Sequence, residues 1–208
     1  FKPNALSYPM LTLPLRFNLY RNAHVGVPQD IGVKWCRQLV VQINRFWAVA
    51  GIQFTFEGAL EHSVDPVVGA QAREQIDQIT RDAANSTVNA IRRKVFMQDL
   101  IPQYAATADA YDIHLLDFVG QTFQGVMMCH KSHTIVMGVR STKGYPTPTR
   151  RPDHCLAKTA AHELGHALGL GHPKGQTFSN GVSQLYDERI GRENTDNLMC
   201  GGKDKAGG

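Results

Sequence analysis

The 208-residue chain has no run of 18 apolar residues, so no transmembrane helix is readable from it. Its opening, FKPNALSYPM, lacks the basic start and apolar stretch of a signal peptide. The expectation is that such a peptide either never existed or precedes this sequence. Charge of one sign is scarce. The net charge is +4 with nine histidines left uncounted and the pI is about 8.9, which is too mild to argue for nucleic acid. There are four cysteines, Cys36, Cys129, Cys155 and Cys200, none in a CxxC spacing. An even count allows two disulfides in three connectivities without requiring them. Internal repeats, low-complexity blocks and a nucleophilic-serine motif are all missing.

What is present is ordinary globular composition, 42% apolar and 19% charged, with room for one domain and a sizeable core. The first 14 residues carry three prolines and read as an extended lead-in. Leu15 to Tyr20 alternates and predicts a strand. Asp30 is placed as an N-cap for a helix over 31–50, with Ile31, Trp35, Leu39, Ile43, Phe46 and Trp47 at helical spacing and Gly51 as its stop. Ile52 to Glu57 alternates again. Strand, helix, strand is the unit that lays neighbouring strands parallel. Residues 58–108 read as a helical insertion with a break at Pro66–Gly69. Tyr111–Val119, Gly125–Cys129 and Thr134–Val139 return to strand character. Ser141–Asp153 holds three prolines and three basic residues and reads as loop. A helix starts near Asp153, and the chain after Gly171 looks irregular.

The informative run is His162-Glu163-Leu164-Gly165-His166-Ala167-Leu168-Gly169-Leu170-Gly171-His172. Histidines four apart lie about 40° apart around a helix and one turn apart along it, so both can grip one metal ion. Glu163 sits beside the first and can reach a water at the metal. Gly169 can take positive φ, end the helix and turn the chain, which lets His172 supply a third imidazole. Three neutral nitrogens with a fourth position open is the donor set of a catalytic zinc site. Leu156, Ala160, Leu164 and Leu168 form a separate apolar stripe for burial, and the histidines fall off it.

HELGHALGLGH resembles the metzincin zinc endopeptidases, whose motif is HExxHxxGxxH. Their second hallmark, a methionine-bearing turn, is matched by Asn197-Leu198-Met199-Cys200-Gly201. The resemblance implies that Met199 forms an apolar floor beneath the imidazoles without binding metal. It implies an α/β fold: a twisted, mostly parallel five-stranded sheet with an antiparallel edge strand, a backing helix and an active-site helix. One catalytic domain would fill residues 1–208, split into an N-terminal subdomain of about 1–169 and a small irregular C-terminal one of about 170–208. The C-terminal helix usual in the group would be absent or lie beyond the sequence. The edge strand Gly125, Val126, Met127, Met128, Cys129 would pair with an extended substrate. Within the superfamily no family is assigned: Pro173 follows the third histidine as in serralysins, but Gly201 stands where serralysins and astacins carry tyrosine, and no calcium repeats follow.

The function expected is a zinc-dependent endopeptidase with Glu163 as general base and then acid, acting on protein or peptide substrates. The alternatives are a zinc-dependent binding or toxin module, against which the intact Glu163 speaks, and a hydrolase of non-peptide amides. Latency would come from a missing propeptide or a separate inhibitor protein. The expected setting is secreted or periplasmic, as a monomer. Arg140, Lys143, Arg150 and Arg151 would either favour acidic substrates or form a solvated basic loop. A second, structural zinc would draw on His114, His130 and His133 with Asp112 or Asp117; neither it nor calcium has a supporting spacing. Glu188 or Glu193 as third ligand is set aside by His172. The preferred disulfides are Cys155–Cys200, tying the active helix to the methionine turn, and by remainder Cys36–Cys129.

Overall fold

A computed structural model of the chain describes residues 9–81, 109–117, 125–127, 133–141, 149–170, 177–179, 182–184 and 198–199. Strand β1, Leu11–Arg21, lies between two parallel neighbours, β2 (Ile52–Ser63) and β3 (Tyr111–Leu116). Strand β5, Thr134–Gly138, joins β3 in parallel. Strand β4, Gly125–Met127, runs antiparallel along β5 at the far edge, giving the order β2-β1-β3-β5-β4. The class is α/β with a mostly parallel sheet.

The described α-helices are α1 (Val33–Trp47), α2 (Pro66–Arg81) and α3 (Asp153–Ala167). Helices α1 and α3 cover one face of the sheet. There Leu15, Phe17, Leu19, Ile113, Leu115, Ile135 and Met137 meet Leu39, Ile43, Leu156, Ala160 and Leu164 in a fully buried core. Burial of that alternating face is the main favourable term holding the helices on the sheet. The alternate residues of the same strands carry a polar network. Arg16 Nε donates to Asp112 Oδ1 at 2.9 Å, Asn18 Nδ2 to the same oxygen at 3.0 Å, and Tyr20 Oη meets His114 Nδ1 at 2.8 Å. Asn18 and His114 are fully buried, so these bonds replace lost hydration at the atoms that make them, while His114 Nε2 has no hydrogen-bond partner among the described residues.

Several boundaries move from their sequence expectation. β1 begins at Leu11, not Leu15. Pro14 is tolerated within it because β3 pairs only from Leu15 onward, so one side of the strand asks nothing of Pro14's missing N–H. Asp30 does not cap α1. Gly32 is the N-cap with no side-chain bond, and Asp30 instead faces Arg150 at 3.3 Å. The helix closes at Trp47 and a 3₁₀ turn, Ala48–Ala50, follows before Gly51 turns the chain at φ +67°. β2 runs six residues past Glu57, through a bulge at Glu57 and Gly58.

The break expected at Pro66–Gly69 is a helix start. Asp65 Oδ1 accepts from the N–H groups of Val67 and Val68 at 2.8 and 3.2 Å, and Pro66 occupies the first turn, where its missing donor is harmless. The rest of the expected insertion, 82–108, lies outside the described residues. The Ser141–Asp153 loop is flanked by one short antiparallel pairing, β6 (Arg140–Ser141) with β7 (Thr149–Arg150). A small hairpin, β8 (Thr177–Ser179) with β9 (Val182–Gln184), falls in the C-terminal part. Among the described residues no helix is long and apolar enough to cross a membrane.

Candidate metal centre

Helix α3 is set down by its first turns. Arg151 is buried and donates to Gly138 O at 3.2 Å, to Cys155 O at 3.2 Å and to Thr159 Oγ1 at 2.5 Å, tying the end of β5 to the helix. Trp35 Nε1 donates to Asp153 Oδ1 at 3.0 Å, fastening α3 to α1. Leu156, Ala160 and Leu164 face the core as the stripe predicts, and Leu168 is half-buried. His162 and His166 therefore emerge on the flank of the helix, one turn apart.

The helix ends as Gly169 requires. At φ +87° this residue is left-handed, and two reverse bonds close around it: Gly169 N–H to His166 O at 3.0 Å and Leu170 N–H to Gly165 O at 2.8 Å. That pair is the Schellman arrangement, and it folds the chain back over the last turn. The Leu170 carbonyl is thereby carried to His166, where Nδ1 donates to it at 2.8 Å. His162 has a matching partner from a distant segment, Nδ1 donating to Leu198 O at 2.8 Å.

These two bonds decide the chemistry of the rings. A carbonyl oxygen only accepts, so each Nδ1 carries the proton and each neutral imidazole keeps a lone pair on Nε2. The two Nε2 atoms stand 3.1 Å apart with the rings at 88°. Two facing lone pairs repel unless a cation lies between them. Nitrogens held about 2.0–2.1 Å from a tetrahedral zinc would be about 3.3 Å apart, close to this separation. The donor set fits a zinc ion. Carbonyl partners on the far nitrogens are the outer contacts that fix ring orientation in metal sites.

Glu163 follows His162 and is 8% exposed, on the same turn of helix. Met199 is buried against α3. A Cβ added at Gly165 would collide with Met199 Sδ and come within 3.1 Å of Cε. With glycine at this position the end of the Met199 side chain lies directly on the helix backbone; a larger residue would make it shift. His172 lies outside the described residues, and among those residues no three His, Cys, Asp or Glu side chains gather as a metal set. β4 runs along the edge of the sheet beside α3 over Gly125, Val126 and Met127; Met128 and Cys129 lie outside the described residues.

Neither a family model nor a curated protein matches this chain.

Other expected features resolve differently. The components of the second zinc site are separately engaged: His114 with Tyr20, Asp112 with Arg16 and Asn18, Asp117 with Arg140 and Arg73, and His133 stacked on Tyr111 at 4.6 Å. His130 lies outside the described residues. The described arginines of the basic segment are engaged within the protein. Arg140 pairs with Asp117, Arg150 reaches Asp30 and Asp153 and lies over the Trp35 ring, and Arg151 is buried. Lys143 lies outside the described residues.

The Cys36–Cys129 bridge is a further correction. Cys36 is a free thiol buried in the core on α1, and burial pushes its pKa up to about 12. Its position among Leu39, Val40 and Trp35 is that of a small apolar side chain. Cys155 Sγ lies 3.3 Å from His154 Nε2, and Cys200 is outside the described residues.

Reading the side chains alone missed three contributors. The Leu170 and Leu198 carbonyls carry no side-chain signature, because their role belongs to the backbone. Gly165 was legible in principle: a glycine inside a helix disfavours it, which signals a close approach.

Proposed function

We propose that this chain is a zinc-dependent endopeptidase of metzincin type, with His162, His166 and His172 as metal ligands and Glu163 as general base and acid. The observation that carries the reading is the histidine pair: two Nδ1 atoms bonded to carbonyls, two Nε2 lone pairs converging at 3.1 Å. The motif around them supplies the third ligand and the base. A bound zinc ion would supply Lewis acidity for the scissile carbonyl and its oxyanion, and would make water acidic enough to lose a proton near neutral pH.

Glu163, beside the first ligand, takes that proton and delivers it to the leaving amine. His162 and His166 are held by their carbonyls in the tautomer that leaves Nε2 for metal. Met199 seats the turn that brings the Leu198 carbonyl to His162. An extended peptide has an available edge at β4, whose outer side is unpaired among the described residues.

The test is metal content together with cleavage of denatured casein, with and without a zinc chelator. One zinc per chain with chelator-sensitive cleavage supports the peptidase. One zinc with no cleavage of any peptide library favours the binding-module reading. A folded protein that binds no zinc removes the proposal.

A further inference from the structure

We infer that Trp47, at the far end of a different helix, is a positioning residue for the histidine pair. The functional part of this inference rests on the zinc reading; its geometry does not. Helices α1 and α3 run side by side in one direction and in constant register. Trp35 meets Asp153, 118 residues later, at the start of both helices. Trp47 meets Gly165, separated by the same interval, at the end of both. Twelve residues of helix, about 18 Å, separate the two points.

At the second point three elements converge on one patch. The Trp47 ring carbon Cη2 is 3.6 Å from where a Gly165 Cβ would stand, and Met199 Sδ and Cε crowd the same position. Phe54 of β2 meets the indole edge-on at 6.2 Å, fixing its plane. The ring is 4% exposed. Its Nε1 is buried and has no hydrogen-bond partner among the described residues. An unpaired buried N–H is unfavourable, so the indole is present for its shape rather than for a bond.

The consequence runs along three contacts. Trp47 closes one side of the Gly165 patch. Met199 fills what remains of it. Leu198, its neighbour, is then held where its carbonyl accepts from His162 Nδ1 at 2.8 Å. That bond sets the tautomer and direction of the His162 ring, hence the position of its Nε2. Shortening Trp47 gives Met199 room to shift and frees the Leu198 carbonyl to move with it.

Trp47→Leu, Trp47→Phe and Trp35→Phe should be compared with the full-length wild type. Zinc affinity is read by chelator competition, and the His162 ring tautomer by ¹⁵N NMR of metal-free protein. Trp47→Leu should weaken zinc binding about tenfold or more, within the range for outer contacts of a metal site. It should also mix the His162 tautomers. Trp47→Phe, which keeps a ring in the patch, should show a smaller loss in the same direction. Trp35→Phe loses the bond to Asp153 and some stability, but should keep zinc affinity and tautomer. Wild-type affinity and tautomer in both Trp47 variants would overturn the inference. So would an equal loss in Trp35→Phe, which would mark a general loosening of α1 against α3. If the wild type binds no zinc, the zinc reading fails by itself, and the tautomer comparison still decides the role of Trp47.

Discussion

His166 Nδ1 and the Leu170 carbonyl are 2.8 Å apart, and the same Leu170 donates its N–H to Gly165. One residue thus closes the helix and orients the His166 ring. Both bonds depend on Gly169 at φ +87°. Gly169→Ala meets no steric obstacle, since nothing lies within 4 Å of the added Cβ, so its cost is backbone strain of about 1–2 kcal/mol. The expected result is a modest fall in thermal stability with a loss of zinc affinity of about tenfold or more. Chelator competition and thermal melts measure both. An unchanged affinity would separate the Schellman turn from the ligand.

Glu163 is the proton carrier of the proposed reaction. Glu163→Ala should keep zinc at the wild-type ratio and lower kcat by about 10²–10⁴. Metal analysis and peptide cleavage on the same preparation check it. Wild-type turnover in that variant would remove Glu163 from the mechanism.

Gly165→Ala pits two effects against each other. Alanine favours the helix by about 1 kcal/mol. The new Cβ, however, enters the space of Met199 Sδ, and overpacking of this kind costs about 1–3 kcal/mol. Net destabilisation with weakened zinc binding is expected. Adding Met199→Ala should relieve part of it, so the double mutant should be less affected than the two single changes predict. Additive effects would mean the two residues do not share the patch.

His114 makes stability depend on pH. Burial drives its pKa down from 6.5 to about 4; Asp112 opposes this, while His62 and Arg16 add to it. The ring is therefore neutral when folded, while in the unfolded chain it protonates below about 6.5. Between pH 6.5 and about 4 the unfolded state binds the extra proton, so stability falls as pH falls, by up to about 3 kcal/mol from this group. His114→Gln does not titrate and should flatten that part of the profile. Urea midpoints at pH 7 and pH 5 for both proteins test it; parallel slopes would refute it.

Cys36 provides a chemical check on the core. As a buried free thiol it should resist alkylation in the folded protein and react fully in denaturant without any reductant. Mass spectrometry after alkylation reads the outcome. A Cys36 that alkylates only after reduction would restore the bridge.

Some of this was legible in the residues because it rests on local rules. Alternation marks β1 and β2, since a strand with one face on the core must repeat every two residues. The spacing of His162 and His166 places them on one flank of a helix, and Gly169 ends that helix because few other residues accept its backbone angle. Boundaries set by partners were not legible. Pro14 sits inside β1 only because β3 begins one residue later, and Pro66 begins a helix only because Asp65 caps it.

The donor types at the candidate centre were thus determined by the sequence alone: imidazoles at helical spacing and a carboxylate beside them. What only the tertiary structure decided is which nitrogen of each ring faces the proposed metal position. That choice is made by the Leu170 and Leu198 carbonyls, one brought by a turn and the other by a segment 36 residues from His162. A backbone carbonyl is the same in every residue, so no pattern of side chains announces it. It acquires a role only where packing, here of Met199 and Trp47 on the bare surface of Gly165, carries it to a ring.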